Sequence, residues 1–294
     1  MTVSPAASGG FADADAVMWA DGELVRAGDA RLPVLDHAIT VGDAAFDALK
    51  VVHGRPFALR RHLDRLARSA DLLELPALDR GLAERAVAAV MEANVGRLTG
   101  SHDIMRLTYT AGTAPVGSDR ASQPQPRLLV TITHHEPPAA SGTAITVPWS
   151  RNEHGALAGI KSTSYAENAR ALARARAAGA DEALFPNTAG RLCEGTRSNV
   201  FVVLDGRLLT PPLADGPLAG VTRELLLEWT DAIEESLPMP ILATADEVFI
   251  ASTGNDVLAM AAIDGRPVGD GAVGPVTRQV AAAFAAGQAR DLDP

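Results

Sequence analysis

The sequence predicts a mixed α/β fold in two parts, without the regular strand–helix alternation of a doubly wound sheet. Three observations carry this expectation. The dipeptides Asp21-Gly22 and His53-Gly54 sit between short apolar runs and read as hairpin turns. In Arg60–Leu73, RRHLDRLARSADLL, the residues Leu63, Leu66, Ala70 and Leu73 fall at helical spacing, and Leu78–Asn94 repeats the pattern. Finally, His134–Gly142, HHEPPAASG, carries Pro137-Pro138, which blocks regular structure and marks a linker.

Taken in order, residues 1–15 are small and polar and read as a mobile arm. They have neither the basic start nor the apolar centre of a secretory signal. Ala16–Leu24 is a hairpin. Leu35–Lys50 is a loop leading into a short apolar segment, and Val51–Leu59 turns at His53-Gly54 before the two helices. Asp103–Thr110 and Arg127–Thr133 are strands around a Gly/Pro/Ser-rich loop. This gives a small α/β domain over 16–133, a linker over 134–142 and a larger domain over 143–294. In the larger domain Thr143–Trp149 reads as a strand, and Tyr165–Ala178 as a helix stopped by Gly179. Short strands fill Asp181–Leu209. A helix over Thr222–Leu237, a strand over Glu247–Ala251 and a helix over Pro275–Ala286 complete the chain, with no internal repeat.

The totals bound the function. A chain of 294 residues can bury a large core, here mostly Ala, Leu and Val. A net charge of −10 argues against a nucleic-acid or membrane-surface partner, which needs a basic footprint. The one cysteine, Cys193, excludes an internal disulfide, fits a reducing compartment and reads as a small core residue. No apolar run is long enough to span a bilayer, so the expectation is a soluble cytoplasmic protein.

The chemistry centres on Gly159–Val203. Of the 26 basic residues only Lys50 and Lys161 are lysines, so Lys161 is not a generic surface charge. A desolvated lysine amine forms a Schiff base and arginine does not. Glu194, at the end of a strand reading, offers a carboxylate for a pyridine nitrogen. The pair points to pyridoxal 5′-phosphate, which also needs a phosphate cup. Leu218–Thr222, LAGVT, runs into a helix start whose amides and the Thr222 hydroxyl suit an anion. Ser252-Thr253-Gly254-Asn255 is a second such loop, and Arg65 can add a charge-assisted contact. Each has a plainer alternative: a helix cap for Thr222 and Thr253, an exposed helix charge for Arg65, a strand-end charge for Glu194. Gly269–Gly274 matches GxGxxG but lies too near the C-terminus for a dinucleotide unit. His134-His135-Glu136 lacks further ligands at metal spacing, so no metal site is expected.

The pieces HxxRL (His62–Leu66), IKS, CEGTRSNVF, LLTPPL and LAGVTREL, in this order, resemble the class IV, fold type IV, pyridoxal-phosphate aminotransferases. That family includes branched-chain and D-amino-acid aminotransferases, (R)-amine transaminases and aminodeoxychorismate lyases. The resemblance runs from about Trp19 to Phe284. It implies a homodimer whose smaller N-terminal α/β domain and larger domain, with a barrel-like sheet, hold the cofactor between them. It also implies Lys161 as the aldimine lysine and Glu194 at the pyridine nitrogen. Arg65, Val221, Thr222 and Thr253 fall around the phosphate, and Tyr165 near the ring hydroxyl, though branched-chain members place that tyrosine one residue later.

The implied reaction moves an amino group between an amino acid or primary amine and a 2-keto acid. Arg106 matches an arginine that branched-chain members have near the substrate carboxylate. Phe46, in GDAAFDAL, and Arg120, after Gly112-Thr113-Ala114-Pro115, are further substrate-side candidates. The family's usual F-E-T/G reads Phe46-Asp47-Ala48 here, and the smaller side chains suggest room for a bulkier amine. The alternatives are an aminodeoxychorismate lyase, forming 4-aminobenzoate and pyruvate, and a non-catalytic cofactor-binding protein.

Overall fold

The computed structural model describes residues 14–98 and 102–294, so most of the expected N-terminal arm lies outside the described residues. The chain forms two compact units. The first runs to Pro137 and takes back Leu292–Pro294; the second is Pro138–Asp291.

The first unit is a six-stranded antiparallel sheet. Its strands are β1 (Val17–Ala20), β2 (Glu23–Arg26), β3 (Ala44–Val52), β4 (Arg55–Pro56), β5 (Asp103–Thr110) and β6 (Arg127–His134), in the order β2-β1-β6-β5-β3-β4. Both turn dipeptides adopt left-handed backbone, Asp21-Gly22 at φ +52° and +93°, and His53-Gly54 at +49° and +72°. A short helix, α1 (His37–Thr40), is capped by Asp36, whose carboxylate accepts from the Ala38 N–H. Two longer helices, α2 (Leu59–Leu72) and α3 (Arg80–Ala93), complete the unit. Their apolar stripes, Leu63, Leu66 and Ala70 on α2 and Ala83, Ala86, Val87 and Val90 on α3, join Ala45, Leu49, Val51, Met105 and Leu107 of the sheet in one core. Full burial of each such leucine contributes about 1.5–3 kcal/mol.

The second unit is built on a closed sheet. β7 (Ser141–Thr146), β8 (Glu182–Pro186), β9 (Leu192–Gly195), β10 (Asn199–Leu204), β11 (Arg207–Thr210), β12 (Ile233–Glu234), β13 (Glu247–Ser252), β14 (Asp256–Ile263) and β15 (Arg266–Pro267) form it. The path β10-β13-β14-β7-β8-β9 returns to β10 through the pair Asn199↔Glu194, closing a six-stranded barrel. Side chains alternate across its wall. Leu184, Leu192, Val200, Val202, Val248, Ile250, Leu258 and Met260 belong to one buried cluster. Phe201 and Phe249 lie between those positions in sequence and stack at 4.8 Å. Helices α4 (Ala166–Ala177), α5 (Val221–Trp229) and α6 (Pro275–Arg290) belong to the same unit.

Two elements differ from the sequence reading. The helix expected over Thr222–Leu237 stops at Trp229, because Thr230 turns extended (φ −138°, ψ 175°) and its hydroxyl bonds back to the Leu226 carbonyl at 2.6 Å. Residues 233–234 then pair in parallel with β11. The strand β14 has no counterpart in the sequence reading. Its DVLAMAAI run favours helix by propensity but is paired on both sides by β13 and β7.

Candidate active site

Barrel closure builds the site. Asn199 pairs with Glu194 on one side and with Ala251 on the other. The register therefore brings Glu194, Asn199 and the turn after Ser252 to one end of the barrel. Next to Glu194 is a cavity of about 330 Å³, lined among others by Arg151, Gly155, Leu157, Tyr165, Glu194 and Leu218. Ile160 and Ser162, on either side of Lys161, also line it.

Lys161 Nζ lies 3.5 Å from the Tyr165 hydroxyl. Tyr165 is the N-cap residue of α4, so the helix start fixes the spacing between the two. Burial pushes the Glu194 carboxyl above the ordinary carboxylate range; Arg151, the Leu218 N–H and Lys161 oppose that shift. The Leu218 N–H donates to Glu194 Oε2 at 2.9 Å, and Arg151 Nε stands 3.2 Å from Oε1. Arg151 is itself held by Glu167 at 2.7 Å and Asn168 at 3.0 Å on the first turn of α4, with its guanidinium 4.1 Å from the Phe185 ring centre.

Two helix starts in this unit differ in a telling way. The N-terminus of α6, behind the GxGxxG match, is filled from within: Glu247 accepts from the Val276 and Thr277 N–H groups at 2.9 and 2.7 Å. The N-terminus of α5 begins at Gly220, with no side-chain cap, and the buried Val221 and Thr222 follow. Of the two, only the second leaves its first amides without a side-chain acceptor among the described residues, an arrangement that suits an anion. The cavity carries Glu194, Tyr165 and Leu218, with Lys161 next to Tyr165 and the α5 start two residues after Leu218. An amine, a buried carboxylate and helix amides are the groups that suit the reactive carbon, ring nitrogen and phosphate of pyridoxal phosphate. Thr253 lies in the turn joining β13 to β14 at the same barrel end.

The remaining candidates are in the first unit. Pairing of β3 with β5 puts Phe46 opposite Thr108 and Ala48 opposite Arg106. The Arg106 guanidinium lies over the Phe46 ring, 3.7 Å from its centre, and its Nε donates to the Thr108 hydroxyl at 3.2 Å. Strand alternation turns Asp47 to the opposite face, against α2. There it accepts from Arg65 Nε and Nη2 at 2.8 Å each and bonds His62 Nδ1 at 2.7 Å. Burial pushes the Asp47 carboxyl up, but Arg65 and His62 outweigh it and hold the group well below the ordinary range. Asp47 therefore does not widen the Phe46–Arg106 face; Ala48 alone shares it. Arg120 forks onto Asp43 with two bonds of 2.7 Å and reaches the Glu74 carbonyl at 3.2 Å.

Arg151, Asn199 and the Asp47–His62 pair were not singled out as site residues in the sequence. Asn199 closes the CEGTRSN motif, but only the barrel register gives it a task. Arg151 has no motif of its own. Cys193 is buried beside Glu194 and its thiol is pushed up, foremost by burial, which leaves it inert. Among the described residues no group of three or more His, Cys, Asp or Glu is placed to hold a metal. His134 sits 3.3 Å from Asp103, and His135 3.0 Å from the Thr133 hydroxyl.

The profile of the amino-transferase class IV family matches residues 44–263. The chain belongs to the class IV aminotransferases. A Methanocaldococcus jannaschii protein, provisionally named a branched-chain-amino-acid aminotransferase, is 32% identical over 279 residues, covering 91% of this chain and 94% of that one. The crystal structure of an Escherichia coli branched-chain amino acid aminotransferase superposes with a TM-score of 0.84 at 26% identity, covering 94% of each chain. A hypothetical aminotransferase from Mycobacterium tuberculosis, solved in its PLP-bound form, gives 0.81 at 27% identity over 92% of this chain and 98% of that one. This aminotransferase thus has the fold type IV architecture, and its cofactor is pyridoxal 5′-phosphate.

Proposed function

We propose that this aminotransferase moves an amino group between an amino acid and a 2-keto acid, with Lys161 carrying the proton. The reading is supported above all by one observation: Tyr165 and Glu194 line a single cavity, and Lys161, whose neighbours Ile160 and Ser162 also line it, has its Nζ 3.5 Å from the Tyr165 hydroxyl. Bound pyridoxal phosphate supplies an electrophilic carbon for the amine and a ring that takes up the charge left at the substrate carbon. Lys161 Nζ takes that proton and returns it on the other side of the reaction. The Tyr165 hydroxyl holds the amine in line. With the cofactor bound, the Glu194 carboxyl would face the ring nitrogen and favour its protonated form, and Arg151 opposes the upward push of burial on Glu194.

Val221, Thr222 and Thr253 are proposed to hold the phosphate. For Arg65, as a phosphate contact, and for Phe46, Arg106 and Arg120, on the substrate side, the proposal rests on motif position alone. Amino acids with branched apolar side chains are the favoured donors, because two of the relatives named above are branched-chain aminotransferases by name. A cytoplasmic homodimer goes with this reading.

Lys161→Ala tests it. The purified variant is expected to lose the yellow colour of the lysine-bound cofactor and essentially all turnover; retained turnover refutes the role of Lys161. In the native protein an amino acid should shift the cofactor's visible absorbance and a 2-keto acid should restore it. Release of pyruvate with no acceptor present would instead mark a lyase.

A further inference from the structure

The turn from Leu218 to Gly220 has an unusual anchor. Leu218 is held at both its backbone groups by the two residues whose pairing closes the barrel: its N–H donates to Glu194 Oε2 at 2.9 Å, and Asn199 Nδ2 donates to its carbonyl at 2.8 Å. A residue gripped through both its N–H and its C=O cannot turn freely about its own backbone bonds. The next residues therefore enter α5 with their amide directions set.

Gly220 supports the same conclusion. Its backbone, φ −72° and ψ 135°, is one that any residue adopts, so glycine is not needed there for conformation. It is needed for space, since a methyl group at Gly220 would run into Asn199 Oδ1. Asn199 is buried and thus presses one side of its amide against the turn while bonding the turn with the other. At α6 an internal carboxylate satisfies the first amides; at α5 no side chain of the described residues accepts from them. Their aim is then decided by whatever fixes the preceding turn.

We propose that Asn199 is a positioning residue for cofactor phosphate, holding the Leu218–Gly220 turn so that the first amides of α5 and the Thr222 hydroxyl converge on the anion. The proposal rests on the reading of Val221 and Thr222 as phosphate contacts. It makes Asn199 act on the phosphate end of the cofactor and not on its ring. Because Glu194 grips the same residue, the ring-nitrogen partner and the phosphate turn share one anchor.

The test compares two ligands that differ only in the phosphate. Cofactor-stripped full-length protein is titrated with pyridoxal 5′-phosphate and with pyridoxal, for the native chain, Asn199→Ala and Thr222→Val. Asn199→Ala is expected to weaken pyridoxal phosphate about tenfold, the scale of one lost buried hydrogen bond together with misdirected amides, and pyridoxal less than about twofold. Thr222→Val should show the same selectivity. Should Thr222→Val be selective while Asn199→Ala weakens both ligands equally or neither, the role of Asn199 is overturned and the phosphate reading stands. Should Thr222→Val show no selectivity, the phosphate reading itself falls. Asn199→Ser, which stays small and keeps a donor, replaces Asn199→Ala if the latter does not fold. It is expected to lie between Asn199→Ala and the native chain, and the same unselective result overturns the role.

Discussion

Replacing Asp47 by asparagine should cost this protein much of its stability. The carboxylate is completely buried, and so is most of the Arg65 side chain that forks onto it. Four groups bond Asp47: Arg65 Nε and Nη2 at 2.8 Å, His62 Nδ1 at 2.7 Å and the Ala48 N–H at 2.7 Å. Asparagine keeps one acceptor but turns an NH₂ group toward these donors, leaving the Arg65 charge without its counter-ion. Breaking one side of such a buried pair costs about 3–5 kcal/mol, a large part of the roughly 5–15 kcal/mol that holds a typical domain.

The pH dependence has a definite sign. Because the folded Asp47 carboxyl is held below its ordinary range, its contribution is complete above the unfolded value of about 3.9 and is lost as pH falls through the folded value. Urea denaturation, followed by circular dichroism at several pH values, reads both effects. The gap between native and Asp47→Asn should be full at about pH 7 and narrow in strong acid. A gap below about 1 kcal/mol at pH 7, or one that does not narrow in acid, refutes the argument that this pair is bound by charge in a dry site.

Glu194 is expected to behave in the opposite way. Its folded carboxyl is raised by burial, so without cofactor it favours the folded state in acid and opposes it increasingly as pH rises through the folded value. Cofactor-free Glu194→Gln should accordingly melt no lower than the native chain near neutral pH, with any advantage disappearing in acid, while transaminase activity falls; a melting temperature well below native at neutral pH contradicts the desolvation argument. At Gly287, on α6, an added methyl would press into the Trp229 ring. Gly287→Ala should destabilise by about 1–3 kcal/mol with a shift in tryptophan fluorescence, and an unchanged thermal midpoint counts against the packing described. Arg151→Met should weaken pyridoxal phosphate and pyridoxal alike, since Arg151 faces the ring partner and not the phosphate turn; a loss confined to the phosphate-bearing ligand would assign it elsewhere.

Much of the fold was legible in local signals. The hairpins at Asp21-Gly22 and His53-Gly54 follow from turn chemistry, and α2 and α3 from apolar spacing, because these depend on neighbours in sequence. Reading failed where distant chain decided the outcome. The β14 run is rich in alanine and becomes a strand because two strands flank it. The helix after Thr222 looks longer by composition than it is, since the Thr230 side chain competes for the Leu226 carbonyl. At the site, Lys161 and Glu194 stand out by residue type and motif, whereas Arg151 and Asn199 resemble any other arginine and asparagine.

The sequence alone determined the cofactor chemistry: a single lysine in IKS and a glutamate in CEGTRSN are enough to name an amine and a carboxylate of the required kinds. Only the tertiary structure decided how those groups are held. Closing the barrel at Glu194↔Asn199 puts the Leu218 backbone between them, and strand alternation sends Asp47 to Arg65 and Phe46 to Arg106 from adjacent positions. Residue type fixes what a side chain can do and is local to its position. Which partner it meets depends on register between strands far apart in the chain, where a shift of one residue reverses every face.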